Sequence, residues 1–80
     1  MTRRLRPADL AEAARVIADL RSGAARAQRQ AAGISAARLA AAIGVSRQAA
    51  SSWETAGVVP TVEHALAYGR ALAALAKHAA

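Results

Sequence analysis

The sequence contains no cysteine and no phenylalanine, and only one tryptophan and one tyrosine. Without cysteine, the protein has neither disulfides nor thiolate metal ligands. Its two histidines, His64 and His78, lie fourteen positions apart, and its five carboxylates are scattered, so no metal-binding cluster and no acid–base pair is recognisable. We therefore predict that the protein is not an enzyme and has no catalytic residues, no metal site and no cofactor.

Long apolar stretches are also missing. No run is long enough for a signal peptide or a membrane span, which predicts a cytoplasmic protein that does not enter a membrane. The sequence has no glycine-rich loop of the kind that binds nucleotide phosphates, and we expect no small-molecule ligand. The 80 residues are enough for one domain, 1–80, and a domain of this size buries only about 60% of its unfolded surface, so association into a dimer would help to stabilise it.

Acidic residues are absent from the middle of the chain. None occurs between Asp19 and Glu54, although the formal net charge of the whole chain is +6. The same segment contains Arg21, Arg26, Arg29, Arg38 and Arg47. Such a basic segment favours a polyanion, either nucleic acid or an anionic membrane surface. A coding bias that enriches arginine and alanine is the alternative explanation of the charge, but it does not account for the missing acids.

Residues 35–54 have the pattern of two short helices joined by a tight turn. Ser35 can cap the first helix, which we expect to end near Ile43, and Ser46 can cap the second. Gly44 can adopt the left-handed backbone conformation that the turn between them requires. Both serines are better explained as caps than as nucleophiles. The pattern predicts a helix-turn-helix, which we place at 35–55.

The two faces of these helices differ in composition. The apolar face at helical spacing consists of Leu39, Ile43, Val45, Ala50 and Trp53, with the small Ala40 where the helices would cross. The outward face of the second helix consists of Arg47, Gln48, Ser51, Ser52 and Thr55. All five of these outward side chains can form hydrogen bonds. We predict that the first four contact base edges in the major groove of DNA.

Several spaced motifs resemble the phage Cro and repressor type of helix-turn-helix domain, the XRE-like group. They are Arg29-x-x-x-Gly33-Ile34-Ser35, Leu39-Ala40 ahead of Ile43-Gly44-Val45-Ser46, and Trp53-Glu54 followed by Pro60. The stretch Ala65-Leu66-Ala67-Tyr68-Gly69-Arg70 is similar to the fourth helix of actinobacterial and actinophage members. This resemblance covers residues 22–73 and implies an all-α, lambda-repressor-like fold. The fold would have five helices here, because an extra helix precedes the motif.

The resemblance also implies roles for individual residues. In relatives, an arginine at the Arg29 position forms a largely buried ion pair with a glutamate at the Glu54 position, whereas the alternative is a solvated arginine. Tyr68 would occupy a core position with its hydroxyl reaching the surface. Many relatives have basic residues after Glu54, but this chain has Val58 and Val59 there. The loop has therefore lost phosphate contacts, and the two valines need a burial site.

The residues before the motif predict a basic arm and an additional helix. The arm, 1–6, is expected to be mobile; it either follows DNA phosphates or a minor groove, or serves only as a solubilising terminus. Pro7 suits the first position of a helix that ends near residue 21. That helix, 7–21, either covers the core of its own subunit or provides a surface for a partner. The remaining core, 22–77, would contain one helix over 24–32 and a last helix that Thr61 caps.

Taken together, these patterns predict a sequence-specific, double-stranded DNA-binding regulator of transcription. It would bind operator half-sites as a homodimer, as a phage or mobile-element repressor or Cro-like protein does. The residues predicted to contact phosphates are Arg3, Arg4, Arg6, Arg38, Ser46 and Thr55. The alternative function is an antitoxin-type module that binds a toxin through its extra helix and autoregulates through the same helix-turn-helix. A membrane-surface protein is disfavoured, because the first helix has acidic residues on its flank.

A homodimer needs an interface, and three surfaces are candidates. They are the first-helix stripe Leu10, Ile17 and Leu20, the valine loop Val58-Val59, and the last-helix residues Leu72, Leu75 and Ala76. We favour the valine loop together with the last helix, supported by the first helix. The minimal domain can close its core without the first helix, and the valines replace residues that would otherwise face DNA phosphates.

Overall fold

The computed structural model describes residues 4–78, and the regular secondary structure in this range is entirely helical. The five helices are α1 (Pro7–Ser22), α2 (Ala24–Ala31), α3 (Ala36–Ile43), α4 (Arg47–Thr55) and α5 (Val62–His78). This confirms the predicted all-α, five-helix class, with helix ends within one residue of those expected. None of the described helices combines the length and the hydropathy needed to cross a membrane.

Side-chain caps fix the beginnings of three helices. Ser35 Oγ accepts a hydrogen bond from the Arg38 backbone N–H (3.1 Å), and Ser46 Oγ accepts one from the N–H of Ala49 (3.0 Å). Thr61 Oγ1 accepts a hydrogen bond from the N–H of His64 (3.1 Å) at the start of α5. Each cap satisfies one of the N–H groups that the first helical turn leaves without an intrahelical partner. All three predicted caps are therefore confirmed.

The helices enclose one main core and a smaller adjoining cluster. The main core consists of Leu20, Ala25, Ile34, Leu39, Ala40, Ala50, Trp53, Tyr68 and Leu72, which come from all five helices and the α2–α3 loop. The smaller cluster consists of Ala13, Ala65 and Leu66, with Leu5, Val16, Ile17 and Val62 packed against it. Val16 touches both clusters and joins them. The smaller cluster therefore lies where α1 meets the first half of α5.

The additional helix α1 packs on its own subunit, and its most extensive contact is with α5. At the crossing point, a Cβ atom built on Gly69 would lie 2.7 Å from Cγ2 of Val16, so only glycine allows this approach without a shift of Val16. On the outside of the crossing, Arg70 of α5 forms ion pairs with Asp9 and Glu12 of α1, both at 3.1 Å. Of the two roles considered for α1, the structure therefore favours covering the core of the same subunit.

Two expectations about surface residues need correction. Leu20 and Leu72, which were candidates for a dimer surface, are buried in the core of the monomer. Residues 5 and 6 of the arm, which was expected to be mobile, contact the folded domain: Leu5 is half-buried against the smaller cluster, and the Arg6 backbone N–H donates to Asp9 Oδ2 (3.0 Å). Arg3 of the predicted phosphate contacts lies outside the described residues.

Candidate nucleic-acid interface

Helices α3 and α4 are held at close range by small and fully buried side chains. Leu39, Ala40 and Ala50 have relative exposures of 0–1%, so the two helices meet with little space between them. The turn begins at Gly44, whose φ of 89° lies in the left-handed region. The N–H groups of Gly44 and Val45 both donate to the carbonyl oxygen of Ala40, at 2.9 and 3.0 Å. This packing directs the opposite face of α4 to solvent.

The solvent face of α4 is a shallow, open depression of about 440 Å³. It is lined by Arg47, Gln48, Ser51, Ser52, Thr55 and Ala56. Arg47, Gln48 and Thr55 are exposed, whereas Ser51 and Ser52 are half-buried. The structure therefore brings together on one surface the four predicted base-contacting residues and Thr55.

Two hydroxyl groups on this face already donate their protons within the helix. Ser52 Oγ donates to the carbonyl oxygen of Gln48 (2.9 Å), and Thr55 Oγ1 donates to that of Ser51 (2.8 Å). In this arrangement their oxygens face outward only as acceptors, which suits the amino groups of adenine and cytosine. A phosphate contact by Thr55 would require its hydroxyl to leave the Ser51 carbonyl, because a phosphate oxygen needs a donor.

Arg47 and Gln48 occupy the first turn of α4. Ser46 takes two N–H groups of this turn, that of Ala49 through its side chain and that of Ala50 through its carbonyl oxygen (3.2 Å). The backbone N–H groups of Arg47 and Gln48 precede the first intrahelical hydrogen bond, and they add partial positive charge at this helix end. The side chains of a first turn also lean toward the N-terminus of the helix. Both long polar side chains are exposed on this turn and line the depression on α4.

Two of the predicted phosphate contacts lie in the first turns of α3 and α4. Arg38 is exposed on α3, and within residues 4–78 it belongs to no ion pair. Ser46 is exposed and acts as a cap acceptor, so its hydroxyl proton is available to another oxygen. Arg4 and Arg6 are exposed near the start of α1, away from the α3–α4 turn in sequence. The structure does not bring these two arginines into the depression on α4.

A buried polar network fixes the other end of α4. Arg29 Nε and Nη2 donate to Oε2 and Oε1 of Glu54, both at 2.8 Å, and Nη1 donates to the Ile34 carbonyl oxygen at 2.7 Å. The hydroxyl of Tyr68 donates to Glu54 Oε2 at 2.6 Å. The Arg29 and Glu54 side chains are only 9% and 2% exposed. The network thus connects α2, the α2–α3 loop and α5 to the last turn of α4.

The position of the Tyr68 hydroxyl corrects the expectation that it reaches the surface. Tyr68 has a relative exposure of 0%, and its hydroxyl points inward to Glu54. A sequence signal for this bond did exist. A bidentate arginine leaves lone pairs free on the carboxylate, and a tyrosine in a core needs a hydrogen-bond partner. The missing information was the distance between α4 and α5.

The network has a fixed charge state near neutral pH. Burial acts to raise the pKa of the Glu54 carboxyl, but hydrogen bonds from Arg29 and Tyr68 outweigh it, and the pKa lies below its ordinary value. Burial and the Glu54 carboxylate raise the pKa of Tyr68, and the bond to Glu54 raises the pKa of Arg29. Because Arg29 and Glu54 neutralise each other, the positive field of this region comes from its other arginines.

The loop after α4 leaves two large apolar side chains in solvent. Val58 and Val59 are 50% and 51% exposed, and Leu10 on α1 is 49% exposed. No other large apolar side chain within residues 4–78 is exposed to this extent. The valines have therefore not found a burial site within the monomer.

Comparison with known proteins identifies one family. A family model described as helix-turn-helix matches residues 26–74, which include all of α3 and α4 and most of α2 and α5. The helix α1 lies outside this match. Neither the curated proteins nor the solved structures contain a significant match to the chain.

Proposed function

Since the chain belongs to the helix-turn-helix family of the Cro and C1 type and is thereby a DNA-binding regulator of transcription, we propose that it binds specific operator half-sites as a homodimer and acts as a phage or mobile-element repressor or Cro-like protein. It would act by occupancy, because a bound dimer excludes RNA polymerase or another regulator from the same DNA.

The observation that carries the proposal is the polar, solvent-facing side of α4. Arg47 and Gln48 project from its first turn, and Ser51 and Ser52 lie one turn later on the same surface. Arginine matches the two acceptors O6 and N7 of guanine, and glutamine matches N6 and N7 of adenine. The buried network at Glu54 supports this role, because it fixes the end of α4 that lies farther from these two side chains.

Phosphate contacts would hold α4 in register on the duplex. We assign them to Arg38 and Ser46, which are exposed in the first turns of α3 and α4. Thr55 would contribute after its hydroxyl rotates from the Ser51 carbonyl. Arg4 and Arg6 are exposed on the anchored part of the arm, where they would contact the backbone beyond the half-site.

The homodimer follows from the small number of base pairs that one helix can read. Domains of this type commonly double their contact on two half-sites about 34 Å apart. With Leu20 and Leu72 buried, the exposed Val58 and Val59 are the larger of the apolar surfaces left for pairing, and they adjoin the end of α4. We therefore propose the valine loop as the centre of the interface.

Selection of bound duplexes from a random-sequence pool tests this function. The expected result is enrichment of a two-fold symmetric sequence whose half-sites are about one helical turn apart. An enriched sequence with a single half-site would contradict the proposed homodimer. A pool without enrichment would contradict sequence-specific binding. The second outcome would also contradict autoregulation by an antitoxin-type protein, because that alternative uses the same helix-turn-helix.

A further inference from the structure

The C-terminal end of α1 lies beside the C-terminal end of α4. A cleft of about 180 Å³ separates Ile17, Leu20 and Arg21 of α1 from the chain that runs from Trp53 to Pro60. Arg21 is exposed at the edge of this cleft, and Thr55 and Val58 are on its other side. The helix that lies outside the family match therefore places Arg21 next to the C-terminal end of α4.

A second arginine reaches the same region from α2. Arg26 is exposed and lies one turn before Arg29 on the same face of α2, because residues three apart are neighbours on a helix. Since Arg29 is hydrogen-bonded to Glu54, this face of α2 is turned toward the last turn of α4. Burial raises the pKa of the Glu54 carboxyl, and the hydrogen bonds of Arg29 and Tyr68 together with the charges of Arg29 and Arg26 lower it, which agrees with this placement. Glu54 does not cancel this charge, because its carboxylate is buried and bonded to Arg29.

The charge of Arg21 and Arg26 is uncompensated in the described part of the chain. The ion pairs within residues 4–78 involve only two arginines, Arg29 and Arg70. The nearest acid to Arg21 in sequence, Asp19, lines a different groove, between α1, α2 and α5. Each free arginine at this helix end can therefore neutralise one DNA phosphate.

The length of α4 indicates which DNA phosphates lie within reach of Arg21 and Arg26. Its nine residues span about 13 Å, and the major groove is about 12 Å wide. A helix of this length that lies across the groove approaches one DNA strand with its N-terminus and the other strand with its C-terminus. Arg38 and Ser46, to which phosphate contacts are assigned above, serve the first strand, and the second needs cations at the Thr55 end. The α4–α5 loop offers none, since residues 56–61 contain no basic side chain.

We propose that Arg21 and Arg26 form a phosphate-binding site for the DNA strand at the C-terminal end of α4, so that α1 supplies a backbone contact from outside the matched domain. This inference rests on DNA binding through α4, and it adds a contact that replaces the basic residues missing from the loop. The site binds phosphates without regard to base sequence.

Arg15 provides a matched control for Arg21. It is an exposed arginine on the same helix, but it lines the groove on the α5 side. The variants are Arg21→Gln and Arg15→Gln, and the probe is a random-sequence pool of labelled duplexes of about 24 base pairs, long enough for two half-sites. Binding is measured by fluorescence anisotropy over a series of salt concentrations.

Arg21→Gln is expected to weaken binding about five- to tenfold at low salt and to reduce the slope of log affinity against log salt by about 0.9, the value for one phosphate. Arg26→Gln should behave in the same way, and the two effects should add. Arg21→Lys keeps the charge and should retain the slope. Arg15→Gln should retain it as well.

Equal slopes for Arg21→Gln and Arg15→Gln, with a wild type that binds the pool, would show that this inference is wrong and leave the proposed function intact. A loss of slope in Arg21→Lys as large as in Arg21→Gln would also overturn it, because packing and not charge would then be responsible. Failure of the wild type to bind duplex DNA at any salt concentration would instead remove the proposed function. Thermal melts that match the wild type show that the variants are folded.

Discussion

Tyr68 and Glu54 are joined by a hydrogen bond of 2.6 Å, from the hydroxyl of α5 to the carboxylate oxygen Oε2 of α4. The same oxygen accepts the Nε–H group of Arg29, so a neutral donor and a charged donor converge on one atom. The last turn of α4 is thus held from two sides, by α2 and by α5. Because the carboxylate, the guanidinium and the phenol all have partners, no buried side-chain polar atom in the described residues is left unsatisfied.

The losses in the free energy of unfolding caused by removing Arg29 and by removing Glu54 should not be additive, because each single substitution leaves the other charge buried. We expect Glu54→Ala to lower the free energy of unfolding by roughly 3–5 kcal/mol, because it leaves the Arg29 guanidinium buried without its counterion. The Arg29→Ala, Glu54→Ala double variant should be destabilised by less than the sum of the two single variants. Thermal or urea melts of all four proteins measure this, and costs that simply add would contradict the coupling.

Stability should fall in acid through Glu54. The pKa of this carboxyl is below its ordinary value of 4.5 in the folded state, so its contribution is fully present above that value and disappears as the pH falls toward the folded pKa. Glu54→Gln should therefore show a smaller loss of stability between about pH 5 and pH 3 than the wild type does. Asp9 adds a second dependence of the same sign, because a hydrogen bond from the Arg6 backbone lowers its pKa.

The control for the acid experiment is Glu63→Gln, because Glu63 is exposed in the first turn of α5 and forms no ion pair within residues 4–78. Its acid unfolding curve should have the wild-type shape. A Glu54→Gln curve as steep as that of the wild type would show that another carboxyl is responsible.

Gly69→Ala should destabilise the protein although alanine favours helices by about 1 kcal/mol over glycine. The added Cβ would lie 2.7 Å from Cγ2 of Val16, whose β-branched side chain has few other rotamers in a helix. We expect a net loss of about 1–3 kcal/mol in a urea melt. In a Val16→Ala background, the same substitution should be neutral or stabilising. A Gly69→Ala protein more stable than the wild type would contradict the close crossing of α1 and α5.

Gln48→Ala should change base preference more than general affinity. We expect it to remove roughly 1–3 kcal/mol of discrimination at one base pair of each half-site, because glutamine can hold both N6 and N7 of an adenine. Relative affinities for single-base variants of the selected operator measure this. Arg38→Ala is the comparison, since loss of a phosphate contact should weaken all sequences alike and reduce the salt slope by about 0.9. An unchanged preference at every base pair would exclude Gln48 from base reading.

Val58→Asp should give a folded monomer with weaker, non-cooperative operator binding. The substitution places a charge at a half-exposed apolar position, where pairing with a second copy would bury it without a counterion. Sedimentation at micromolar concentration measures the association, and Leu10→Asp at the other exposed apolar site is the matched control. A dimeric Val58→Asp with a monomeric Leu10→Asp would move the interface to α1.

The sequence was sufficient to predict those features that depend on neighbouring residues. Ser35, Ser46 and Thr61 cap their helices as expected, because a cap involves only the next three residues. The inward hydroxyl of Tyr68 and the burial of Leu20 depend instead on how α5 and α1 are placed. The assignment of base contacts is still a prediction, which the exposure of Arg47 and Gln48 on α4 supports.

The contact between α1 and α5 has a consequence for how the chain reaches its folded state. Ala13 of α1 is buried in one cluster with Ala65 and Leu66 of α5, and Arg70 pairs with Asp9 across 61 residues of sequence, so the first and last helices must meet before the core is complete. On the ribosome, α1 emerges long before α5 and cannot be covered until α5 has been synthesised. Contacts of such high sequence separation slow folding, because the entropy of closing the intervening chain is lost before they form. DNA-binding competence should therefore arise only after release of the C-terminal helix, and not progressively as the helix-turn-helix is made.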